Sequence, residues 1–205
     1  TIDMSKFGVF KANELPLPRE QKLELRHLPD GKRLEELLPI TLKKGEEMII
    51  DDGKMTLAYT KMKIEATANS VLSLKYALRY QDGKTFEEFG NGNQYIARSG
   101  KQEFMTTDQW GCHYMVVRCD SGTVKINGLE MVERLFPYKR LGDFVCSDHF
   151  LNELWEMSVN TIQATSDDAY GTDARERNEW IQDGIKASFP CSQVAFARPD
   201  ESGKS

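Results

Sequence analysis

The densest set of side chains able to do acid–base chemistry lies late in the chain, in TDARERNEWIQDG, Thr172 to Gly184. Read as a helix capped by Thr172 or Asp173 and stopped at Gly184, the stretch turns by ~100° per residue. Glu176, Trp180 and Asp183 then fall at roughly 0°, 40° and −20° and share one face. Glu179 lies beside that face, Arg175 and Arg177 flank it on opposite sides, and Asp173 reaches the same end. Two readings fit the pattern. Charge runs usually form solvated faces, and pattern alone favours a surface helix anchored by Trp180, with Arg–Glu pairs each contributing only a few tenths of a kcal/mol. The other reading is a carbohydrate site. The apolar C–H face of a sugar stacks on an indole, its hydroxyls donate to carboxylates, and one carboxyl kept protonated by neighbouring negative charge can act as general acid toward a glycosidic oxygen.

The elements that must position this stretch change character along the chain. Residues 1–45, with LPLPRE, HLPDG and LLPI, read as an irregular leading segment or short strands, because proline removes a ladder donor and fixes φ. From Glu46, EMIIDDGKMTLAYTKMKIEATA contains two apolar runs joined by Asp51-Asp52-Gly53, which predicts a hairpin turn. In LSLKYALRYQDGK, Leu72, Leu74, Tyr76, Leu78 and Tyr80 alternate with smaller or polar residues, placing all five on one face of a strand that Asp82-Gly83 closes. Further strands follow, with turns expected at Asp120-Ser121-Gly122 and Asn127-Gly128. Strands at these short intervals predict an antiparallel β-sandwich over 46–141. At Gly142 the period changes. Ser147 is a candidate N-cap, Asp148 suits the first turn, and Phe150, Leu151, Leu154, Trp155, Ser158, Val159 and Ile162 recur at helical spacing. The helical region 142–205 is therefore expected to be a second domain.

The chain has 205 residues, 29% of them charged, and a formal net charge of −5. No basic footprint invites nucleic acid, and no apolar run is long enough to predict a membrane-spanning helix. Cys112, Cys119, Cys146 and Cys191 are widely spaced and read as free, packed thiols. His27, His113 and His149 are scattered as well, so a zinc site has little support from the spacing, and Asp167-Asp168 alone is weak evidence for calcium. No cofactor is expected.

TDARERNEWIQDG resembles the signature of the glycoside hydrolase family 78 α-L-rhamnosidases, T-D-C-P-Q-R-[DE]-E-R-x-G-W-x-G-D. Trp180 stands four residues after Glu176, and Asp183 three after Trp180, as in that family. Upstream, GDFVCSDHFLNELWEMSVNTIQAT resembles the family's approach to its catalytic domain, and LSLKYALRYQDGK and QWGCHYMVVR resemble the preceding β-sandwich. The resemblance runs over roughly residues 45 to 190. It implies a fold in two parts, a β-sandwich followed by the opening helices of an (α/α)6 barrel. It implies an inverting glycosidase that removes terminal α-L-rhamnose, with a rhamnose-containing oligosaccharide or glycoside as its partner. Carried over by position, Glu176 is the general acid, and Asp173, Arg175, Trp180 and Asp183 line the sugar subsite. Trp180 gives a stacking wall, Asp173 and Asp183 accept from hydroxyls, and Arg175 orients a hydroxyl or carboxylate. Arg177 reads as a structural ion-pair partner. Polysaccharide-degrading relatives are often exported, so a periplasmic or extracellular location is the expectation.

The chain departs from the family pattern at three points. Ala174 alone stands where the family has Cys-Pro-Gln, and Glu179 and Gln182 replace small residues beside the Trp. The third point is that inversion requires a second carboxylate ~6.5–9.5 Å from the acid to activate water, and in the family that base lies farther downstream. A twelve-helix barrel needs on the order of 200 residues, whereas 142–205 holds two or three helices. The chain therefore reads as a fragment, inactive by itself. The alternative reading from the sequence is a carbohydrate-binding β-sandwich without catalysis, with Tyr76, Tyr80, Trp110 and Tyr114 as its aromatic candidates.

Overall fold

A computed structural model of the chain describes residues 19–86, 92–135, 139–140, 142–165 and 196–197. Short elements come first: β1 (Arg19–Lys22), β2 (Arg26–Leu28), a one-turn helix α1 (Leu34–Leu37) and β3 (Ile40–Lys43). The main strands follow: β4 (Glu47–Ala66), β5 (Val71–Ala77), β6 (Arg79–Gln81), β7 (Lys84–Phe86), β8 (Gly92–Ile96), β9 (Gly100–Met105), β10 (Trp110–Ser121) and β11 (Thr123–Leu135). Last come β12 (Lys139–Arg140), helix α2 (His149–Thr165) and β13 (Phe196–Ala197), which pairs with β12.

Nine of the strands form one antiparallel sheet. Its main path runs β1-β11-β4-β10-β5-β8, with β2 and β9 also on β4 and β3 also on β11. The strand β4 makes this sheet curl. Its first part pairs with β10, over Glu47–Asp51 and again over Thr56–Ala58, while Tyr59–Ala66 pairs with β11, so one strand serves two sets of neighbours facing a common core. The expected antiparallel character is present, and the described strands form a curled, half-barrel sheet around Met48, Ile50, Met62, Ile64, Leu72, Leu74, Met115, Val117, Ile126 and Met131. Among the described residues no helix is long and apolar enough to cross a membrane.

Two expected turns are instead bulges within long strands. Asp51-Asp52-Gly53 does not reverse the chain. Inward residues alternate on both sides of it, from Met48 and Ile50 to Thr56, Ala58, Thr60, Met62 and Ile64, and both halves find partner strands. The register jumps there: Tyr114 faces Asp51, but Cys112 faces Thr56. The turn-forming residues are absorbed as extra length, with Gly53 at φ +77°. At Asn127-Gly128 a second bulge puts two residues of β11 opposite one of β4, Ile126 facing Ile64 and Gly128 facing Lys63. One extra residue flips the face that points inward, from Val124 and Ile126 before the bulge to Leu129, Met131 and Glu133 after it. This bulge is what carries Glu133 into the interior.

Other expectations fare differently. Gly122, at φ +77°, turns β10 into β11 as expected. Asp82 and Gly83, both at positive φ, close a hairpin, but one between β6 and β7 only. The alternating strand ends at Ala77, so Leu72, Leu74 and Tyr76 share the buried face while Leu78 and Tyr80 are only half-buried. Cys112 and Cys119 are buried free thiols and Cys146 a half-buried one; Cys191 lies outside the described residues.

The cap of α2 is Asp148, whose Oδ1 accepts the Phe150 amide at 2.9 Å, one residue later than expected. Asn152 pins the approach by exchanging hydrogen bonds with the Cys146 backbone, at 2.8 and 2.9 Å. The helix is fastened to the β-region at two points along its length. At its middle the Arg140 guanidinium reaches both carboxylate oxygens of Glu156, at 2.6 and 3.1 Å. Farther along, Asn160 donates to the carbonyl of Met55 at 3.0 Å. Only Val159 and Ile162 of its expected apolar face are buried, whereas Phe150, Leu151 and Leu154 are 67%, 42% and 43% exposed.

Candidate functional site

Asp173, Arg175, Glu176, Trp180 and Asp183 lie outside the described residues, between the end of α2 and β13. Among the described residues, the fold concentrates ionisable groups elsewhere, at the β4 bulge.

The bulge turns on a local motif. The Gly53 amide donates to Asp51 Oδ1 at 2.8 Å, folding the chain over the carboxylate that precedes it. Asp51 faces outward at the rim, where His113 Nε2 lies 3.2 Å from its Oδ1. The His113 ring is held flat against Tyr114, with centroids 4.3 Å apart, and Tyr80 packs beyond at 5.7 Å.

Asp52 points the other way. It is 5% exposed, its Oδ2 accepts only the Cys112 thiol at 3.7 Å, and its Oδ1 takes no hydrogen bond from another residue. Burial therefore pushes the carboxyl up to about 8, and the charges of Asp51 and Glu133 push in the same direction. Asp52 is protonated at neutral pH. Burial and the neighbouring Asp52 likewise raise the Cys112 thiol well above its ordinary value, which leaves it unreactive.

The third carboxylate is satisfied differently. Glu133 is 1% exposed, and its oxygens are met by Lys54 Nζ at 3.0 and 3.1 Å and by the Thr56 hydroxyl. Lys54 and Thr56 come from the bulge, Glu133 from the inverted end of β11, so the two bulges meet in one ion pair. The bulge backbone also accepts from Asn160 of α2. A single irregularity thus joins both parts of the sheet and the helix.

This arrangement holds the carboxyls of Asp51 and Asp52 side by side, with an imidazole at the mouth. The oxygens of Asp51 and Asp52 and a His113 nitrogen all lie within 4.8 Å of one another. Spacing along the sequence concealed the group, because His113 is far from Asp51-Asp52 and reaches them only through β10–β4 pairing. The available sign was the pair of acids at a turn motif inside an otherwise apolar strand.

No protein-family model matches this chain, and no curated protein does. Solved structures do. A GH78 family rhamnosidase of Bacillus sp. GL1 is 26% identical, with a TM-score of 0.65, over 79% of this chain and 18% of its own. A rhamnosidase from Klebsiella oxytoca, solved with rhamnose bound, is 16% identical, with a TM-score of 0.70, over 88% of this chain and 42% of its own. An α-L-rhamnosidase from Dictyoglumus thermophilum gives 14%, 0.58, 89% and 21% for the same quantities. The chain thus spans less than half the length of each of these proteins, and its fold resembles that of rhamnosidase-like glycosidases.

Proposed function

We propose that this chain is part of an inverting glycoside hydrolase of the α-L-rhamnosidase kind, acting on terminal α-L-rhamnosides. In this reading residues 46–141 are the β-sandwich that precedes the catalytic domain, and 142–205 open an (α/α)6 barrel. The observation that carries the reading is the 26% identity to the Bacillus rhamnosidase across 79% of this chain, joined to the TDARERNEWIQDG motif. The surface of α2 adds support. Among the described residues Phe150, Leu151, Leu154 and Met157 form an exposed apolar stripe, of the kind that the first helix of a barrel presents to its neighbours.

In the proposed mechanism Glu176 protonates the glycosidic oxygen as the bond to the anomeric carbon breaks. Trp180 stacks on the sugar face, Asp173 and Asp183 accept its hydroxyls, and Arg175 orients a hydroxyl or carboxylate. Water attacks from the opposite face, activated by a carboxylate beyond this chain. Asp52 is not that base, since it is buried and protonated.

The test is to assay the longer parent protein on a panel of aryl glycosides. Selective hydrolysis of the aryl α-L-rhamnoside supports the proposal. An inactive parent whose β-region alone binds oligosaccharides replaces it with a carbohydrate-binding module.

A further inference from the structure

We propose that Asp51, Asp52 and His113 form a binding site for one divalent transition-metal cation of the zinc type, fastening the β4 bulge to β10. Their ligand atoms already converge, all within 4.8 Å of one another. Donors at ~2.1 Å from a tetrahedral ion stand ~3.4 Å apart, so the widest pair has to close by at most ~1.4 Å.

Convergence of acids alone would carry little. The independent observation is the state of Asp52: 5% exposed, with Oδ1 accepting nothing from any other residue. Buried carboxyl oxygens are almost always matched by a donor or a cation, and an ion bound here takes the place of the proton that the empty site holds on Asp52. The nearby cationic side chains are engaged elsewhere. Lys54 sits 3.0 Å from Glu133, and the Arg26 guanidinium, opposite Asp51 in the β2–β4 pairing, donates to the Gly31 carbonyl at 3.3 Å.

The site is open on one side and firm on the others. Asp51 and His113 keep 24% and 31% of their side-chain surface exposed, which gives an ion a path in, while Asp52 forms the floor. The Gly53 amide fixes the Asp51 carboxylate, and stacking on Tyr114 fixes the imidazole plane, with Nε2 turned toward Asp51. One imidazole nitrogen with two carboxylate oxygens suits zinc, cobalt or manganese, whereas calcium and magnesium take all-oxygen sets. Three protein donors leave a position for water. The role assigned is structural, since the ion would join strands that the register jump leaves without ladder pairing between Asp51 and Thr56.

The probe is Co²⁺, titrated into the 205-residue chain and followed by its visible d–d absorption, with Zn²⁺, Ca²⁺ and Mg²⁺ as competitors. One Co²⁺ per chain is expected, displaced by Zn²⁺ and not by Ca²⁺ or Mg²⁺. Asp51→Asn and His113→Gln alter half-exposed groups and should each weaken binding by ~10–100-fold or more. His149→Gln, at the separate His149–Glu153 pair, should leave it unchanged. Zn²⁺ should also raise the melting temperature of the wild type but not of His113→Gln. The proposal is overturned by absence of a saturable band, by unchanged affinity in Asp51→Asn and His113→Gln, by displacement with Ca²⁺, or by a thiolate-to-cobalt charge-transfer band placing the metal on cysteine.

Discussion

Replacing Asp52 by Asn should make the protein more stable in a way that grows with pH. The wild-type carboxyl rises from the ordinary 3.8 to about 8 on folding, chiefly through burial. Between those values the folded chain holds one proton that the unfolded chain has released. Its contribution to stability is therefore complete below about pH 4 and declines as pH rises, by about 1.4 kcal/mol per pH unit, until the folded carboxyl ionises near 8. Across the whole span the loss reaches about 6 kcal/mol, comparable with the entire stability of many domains. Asn reproduces the shape of the neutral carboxyl and has no proton to lose. Urea unfolding of wild type and Asp52→Asn in chelator-treated buffer, from about pH 5 to 9, measures the difference directly, because slopes from all other groups cancel. The gap should widen by about 1 kcal/mol or more per pH unit and level off near 8. A gap that stays constant with pH would show that Asp52 is ionised in the folded protein and would refute the account.

Other perturbations follow from the same structure. Lys54→Met strips Glu133 of its cation at 1% exposure and should cost about 2–4 kcal/mol in chemical denaturation; adding Glu133→Gln should recover part of that loss. Gly122→Ala places a methyl into Ser70 Oγ, and 2.9 Å from Ser70 Cβ, on a residue at φ +77°. It should cost about 2–4 kcal/mol by the same measurement, because neither the turn nor the Ser70–Thr123 hydrogen bonds can give way freely.

The regular parts of the fold were legible because period two and turn chemistry are local signals. The alternation of Leu72, Leu74 and Tyr76 and the turns at Gly122 and Asp82-Gly83 needed no tertiary information. The two bulges were not legible. Asp-Asp-Gly and Asn-Gly are hairpin residues by intrinsic preference, and only the partner strands decide whether the chain reverses or stretches past them. At Asn127 that decision inverts the facing of everything after it, and so determines that Glu133 is buried. The cluster of Asp51, Asp52 and His113 was hidden for the same reason, since it is created by the register across β4 and β10. Helix α2 was predicted in place, yet an amphipathic period states which residues seek burial and not which of them the described chain covers.

The central claim is that Glu176 donates the proton to a rhamnoside leaving group, and the most direct test is Glu176→Gln in the longer parent protein. Rates should be compared on α-L-rhamnosides with good and poor leaving groups. A poor leaving group needs the proton, so its turnover should fall by about 10²–10⁴-fold, while an activated aryl rhamnoside loses far less. An equal, small loss on both substrates would remove Glu176 from the mechanism and contradict the assignment.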